Sequence, residues 1–88
     1  MNYYAVLLPM RDKEKSRQFR EEHLLFLEKG RREGWIFANG RFTDQSGGLV
    51  IYKARELQEV EGYVQQDPYI IHGARNYEIH EWEMVLGE

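Results

Sequence analysis

The chain opens with a short apolar run, Tyr3–Pro9 (YYAVLLP), closed by its proline. Such a run, rich in aromatic and aliphatic residues, predicts a strand buried on both faces or nearly so. From Lys13 to Glu33, Lys, Arg, Glu and Leu dominate without an internal proline. Phe19, His23, Phe26, Leu27 and Gly30 recur there at helical spacing, which predicts one long helix. Gly34 is the expected cap, and Trp35–Phe42 (WIFANGRF) returns to strand-like residues. The turn formers Thr43-Asp44-Gln45-Ser46-Gly47-Gly48, followed by apolar Leu49–Tyr52, predict an antiparallel hairpin.

Residues Arg55–Gln66 place Leu57, Val60 and Val64 at helical intervals, with Tyr63 alongside. Asp67-Pro68 ends this second helix, because a residue before proline avoids the helical region. In Asn76–Leu86, Tyr77, Ile79, Glu81, Glu83 and Val85 alternate with Glu78, His80, Trp82, Met84 and Leu86. That alternation predicts a long last strand with mixed faces, at a sheet edge or a partner contact.

The order β-α-β-β-α-β predicts an α+β, ferredoxin-like domain over residues 1–88, with two helices on one face of a four-stranded antiparallel sheet. The other face is then bare, and a second copy of the chain is the simplest cover. Composition strengthens that expectation. An 88-residue chain with no cysteine has neither disulfides nor thiolate-bound metal to supplement a thin core, so a homodimer is expected. The net charge of −3 disfavours nucleic acid and anionic lipid as partners. The opening apolar run lacks a basic segment before it and is too short to cross a bilayer, so the expected address is cytoplasmic, with no membrane association.

His23 fits its setting worst, since helical geometry puts an imidazole on the apolar stripe. Such a ring is either a hydrogen-bonded core histidine or a general acid or base working near neutrality. Asp67, at the Gln66-Asp67-Pro68-Tyr69 corner, is either turn punctuation or the carboxylate that orients His23. Two helices side by side on one sheet face allow that meeting. Arg20, three residues before His23, is either solvated or an anchor for an anionic ligand group. Tyr63 and Tyr69 flank the Asp67 corner as core packing or as pocket lining. His72 and His80 lack metal-ligand spacing, so no metal is expected. Gly47-Gly48 lacks the rest of a phosphate-binding signature, and Ser16 and Ser46 read as a cap and a turn residue rather than nucleophiles.

Five segments in order resemble the YCII-related family. They are Tyr3-Tyr4-Ala5-Val6-Leu7-Leu8; Arg20-x-x-His23 followed by Leu27; Gly40…Asp44…Gly47-Gly48; Asp67-Pro68-Tyr69-x-x-x-Gly73; and Tyr77-Glu78-Ile79…Trp82. The resemblance implies a dimeric ferredoxin-like, or dimeric α/β-barrel, fold and an active site centred on His23 and Asp67. It also implies kinship with lyases that remove hydrogen halide from small chlorinated aromatic compounds. Gly40-Arg41 and His80-Glu81-Trp82 depart from the proline-containing family pattern, and both departures bear on the pocket rim or the dimer seam.

The leading expectation is therefore a small cofactor-independent enzyme that eliminates, isomerises or hydrolyses a small polar or aromatic metabolite. His23 moves the proton, Asp67 holds the imidazole, and Arg20 anchors an anionic group. The alternative is a non-catalytic small-molecule-binding or accessory dimeric module. In a third reading both residues only stabilise the fold.

Overall fold

Strand β1 (Asn2–Pro9) lies in the middle of the sheet, flanked on one side by β3 (Gly47–Ala54) and on the other by β4 (Glu78–Trp82). β2 (Ile36–Arg41) pairs with the outer side of β3, giving the order β2-β3-β1-β4 with every pair antiparallel. These relations come from a computed structural model that describes residues 1–87. The two inner strands are those with the most continuous apolar runs, as expected of strands with neighbours on both sides.

The register gives each sheet face its residues. Tyr4 lies opposite Tyr52 and Val6 opposite both Val50 and Ile79, all on the helix side. Tyr3, Ala5 and Leu7 lie opposite Lys53, Ile51 and Leu49 on the other side. β1 is thus not buried equally on both faces: Tyr4, Val6 and Leu8 are buried, whereas Tyr3, Ala5 and Leu7 are only half-buried. Among the described residues, nothing covers the second face as the helices cover the first.

The region expected to be one helix is two, α1 (Lys13–Gln18) and α2 (Arg20–Glu33), joined at Phe19. Phe19 adopts φ −102°, ψ 12° and stacks its ring on that of His72, 3.7 Å between centroids. The apolar period runs through this joint, so the pattern alone reads as continuous. Gly34 ends α2 in the left-handed region, with φ +88° and its N–H donated to Gly30 O, as a C-terminal glycine does.

The second helical region is α3 (Leu57–Val64), shorter than its pattern, followed by a one-turn helix α4 (Pro68–Ile71). β4 also stops early, because Met84 N–H folds back to Trp82 O at 2.9 Å instead of continuing the ladder. Leu27 from α2 and Val60 and Val64 from α3 close the core over Tyr4, Val6 and Val50. Gly30 lets α2 sit close on β2: a Cβ there would meet Ile36 and come within 2.8 Å of Trp35 Cζ3. Among the described residues, no helix is long and apolar enough to cross a membrane.

Candidate active site

Asp67-Pro68 places a carboxylate under the sheet-facing stripe of α2. Proline at the first position of α4 needs no N–H partner, and Asp67 is the N-cap, its Oδ1 accepting Tyr69 N–H at 2.9 Å. The same Oδ1 lies 2.7 Å from His23 Nδ1. His23 occupies the buried stripe of α2 with Leu27 and Gly30, and Asp67 is wholly buried. The two residues are 44 positions apart in the chain. With Asp67 ionised, only a protonated Nδ1 can donate across this contact, so the neutral ring keeps its lone pair on Nε2.

Asp67 Oδ2 is buried with no hydrogen-bond partner among the described residues. A bare buried carboxylate oxygen is costly, and the imidazole and the Tyr69 N–H on the other oxygen are the compensation within reach. His23 Nε2, by contrast, makes no hydrogen bond with the described residues and is not sealed from solvent. A cavity of about 460 Å³ opens beside the ring.

The cavity lies between α1 and α2 on one side and the β2–β3 hairpin on the other. Leu8, Leu24, Leu27 and Val50 form apolar parts of its wall, with Phe42 at the hairpin. The rest of its lining includes basic and polar side chains. Arg20, the first residue of α2, lines it, as do Tyr69 and the hairpin's Arg41. Asp67 does not reach the cavity and acts on it only through His23.

Tyr69 packs its ring parallel to the imidazole, and burial raises its phenol above the usual value, against the pull of the Arg75 and Arg20 charges. Tyr63 is placed differently: it stacks on Trp35, 4.4 Å between centroids, near Tyr52, and is not part of the cavity wall. Tyr52, buried in the core, has its phenol raised by burial and by the Asp67 charge.

Two cavity residues escaped the sequence pattern. Ser16 is not a cap, a role taken by Asp12. It is buried in α1, with Oγ 3.3 Å from Ala74 O. Arg75 donates from Nε to Ser16 Oγ at 3.1 Å and from Nη1 to Leu8 O at 3.3 Å, with its guanidinium carbon 4.6 Å above the Tyr69 ring. An isolated bridge between Met10 and Arg75 brings this loop to the end of β1, a long-range pairing with no local signature. Among the described residues, no group of three or more His, Asp or Glu is arranged to hold a metal ion.

The YCII-related domain family matches residues 1–83. The chain belongs to that family. It is 27% identical over 82 residues to the uncharacterized protein YjpA of Bacillus subtilis, across 93% of this chain and 96% of that one. Among solved structures, it resembles 5-chloro-2-hydroxyhydroquinone dehydrochlorinase (TftG) of Burkholderia phenoliruptrix, in complex with 2,5-dihydroxybenzoquinone, with a TM-score of 0.78 and 19% identity. That likeness covers 92% of this chain and 93% of the other, and shows that the YCII-related chain shares its fold.

Proposed function

We propose that this YCII-related protein is a small cofactor-independent enzyme, acting in the cytoplasm, that transfers a proton on a small polar or aromatic metabolite. His23 is the acid–base group, and Asp67 is its positioning partner. The observation that carries the reading is the 2.7 Å contact between Nδ1 of His23, whose ring lines the cavity, and the buried Asp67 Oδ1 behind it. Asp67 fixes the ring through Nδ1, which leaves Nε2 to take a proton from a bound molecule. The buried carboxylate then stabilises the imidazolium. The cavity's volume of about 460 Å³ suits a small organic ligand, and Tyr69 and Arg20 are the proposed ligand-binding residues beside the imidazole. The fold shared with a dehydrochlorinase supports elimination as the reaction type to test first.

The reading includes a homodimer formed through the open sheet face. Tyr3, Ala5, Leu7 and Leu49 are half-buried there, and Phe37 and Trp82 add exposed aromatic surface. A second copy presenting the same face would cover it by two-fold symmetry.

The test uses 5-chloro-2-hydroxyhydroquinone as probe and follows chloride release by the full chain. Accelerated release that His23→Gln abolishes supports the enzyme. Binding of the probe without turnover supports a non-catalytic ligand-binding module instead.

A further inference from the structure

The cationic groups of the chain are not spread evenly. Its net charge is −3, yet Lys13, Arg17, Arg20, Arg41 and Arg75 all line the one cavity that contains His23, and no carboxylate of the described residues lines it. Glu14 accounts for one of the five, pairing with Arg17 at 2.7 Å. The others have no carboxylate within ion-pair distance among the described residues.

Arg75 is the most constrained of these. It is half-buried, and its guanidinium is held by two neutral acceptors, Ser16 Oγ and Leu8 O, and by the face of Tyr69. Nε and Nη1 are committed to those contacts, while Nη2 has no partner among the described residues and is not sealed from solvent. A desolvated cation fixed in this way, with a donor edge free at a cavity wall, is a binding site for an anion. Tyr69 links it to the chemistry, because one face of that ring carries the guanidinium and the ring also stacks on His23.

We propose that the cavity's natural ligand is a small organic anion, with its negatively charged oxygen bound by Arg75 and Arg20 and its reacting carbon presented to His23. The proposal rests on the enzymatic reading for the role of His23, but the anion site stands on its own geometry. Arg75 is thereby a ligand-binding residue rather than a strut between the last loop and α1. The electrostatics suit this division of labour: the arginines hold the anion, while His23 serves as the acid–base group.

The probe is benzoate, with its neutral isostere benzamide, titrated into the full chain and followed by amide NMR shifts and calorimetry. Wild type should bind benzoate with shifts centred on Tyr69, Arg75 and Arg20, and benzamide roughly ten- to hundredfold more weakly, as expected for loss of a charge-assisted hydrogen bond. Arg75→Gln should lose a similar factor. Arg20→Gln alters an exposed position and so tests the site even where Arg75→Gln fails to fold. Arg75→Lys, which keeps charge without the planar fork, should fall between wild type and Arg75→Gln. His23→Gln should bind benzoate within a fewfold of wild type, so a failed proton-transfer role would leave this result unchanged. Equal affinity for benzamide and benzoate, undiminished benzoate binding by Arg20→Gln, or no benzoate binding at all would overturn the anion site.

Discussion

The rings of His23 and Tyr69 lie parallel, 3.8 Å between centroids and 9° apart, while Asp67 between them in the hydrogen-bond network accepts from both residues. One carboxylate oxygen therefore sets the imidazole's orientation and caps the helix that carries its stacking partner. The position of His23 and the local fold of α4 depend on the same atom.

This sharing predicts different results from two substitutions. Asp67→Asn can place only one group at the position both partners share: an amide NH2 there donates to His23 Nδ1 and favours the tautomer protonated on Nε2, and Tyr69 N–H then loses its acceptor. Nitrogen NMR of the neutral ring should show protonated Nδ1 in the wild type and protonated Nε2 in Asp67→Asn. Asp67→Ala removes the partner of both residues, and chemical denaturation should show a loss of about 0.5–2 kcal/mol from the missing cap alone.

Tyr52 and Tyr69 predict the alkaline limit of the fold. Burial raises both phenols above their ordinary value of 10.0, with the Asp67 charge adding to the effect and the nearby arginines opposing it at Tyr69. A group whose folded value is raised stabilises fully below its unfolded value, and that contribution disappears as pH climbs through the folded value. Tyrosine ionisation should therefore leave stability unchanged up to about pH 10.0 and reduce it above. Urea midpoints across that range should fall less for Tyr52→Phe than for the wild type.

Gly30 predicts a steric limit between α2 and β2. A methyl group there meets Ile36 and Trp35 side chains that are packed in the core or against it. Gly30→Ala should cost about 1–3 kcal/mol through overpacking, partly offset by better helix propensity, and thermal unfolding would measure it.

The open sheet face predicts assembly. Leu7→Glu puts a charge opposite Leu49 and next to Glu78, on the face away from the core. Sedimentation should show a dimer for the wild type and a folded monomer for the variant. A wild-type monomer would contradict the proposed homodimer.

The strand and helix order was legible because each segment carries its own period, and the turn at Thr43–Gly48 its own chemistry. The approach of His23 to Asp67 was allowed by topology, since the two helical regions share a sheet face, and implied by the family resemblance, but no sequence pattern supplied the 2.7 Å distance. The break at Phe19 was not, because it accompanies a ring stack on His72 from a distant loop. Arg75 was hidden for the same reason: Met10, Ser16 and Leu8 give it a place, and all lie more than fifty residues away. Tyr63 stands three residues after Val60 on α3, but Trp35 draws its ring into an aromatic stack away from the cavity wall. Local pattern shows which side chains face a core, and only tertiary neighbours decide which of them share a cavity.

The central claim, that His23 and Asp67 move a proton as a unit, is tested most directly by a double-mutant cycle on kcat for chloride release. If they act together, His23→Gln slows the reaction by about 10²–10⁴, and adding Asp67→Asn to it causes little further loss. A folded His23→Gln protein that keeps the wild-type kcat, or losses that multiply in the double variant, would contradict it.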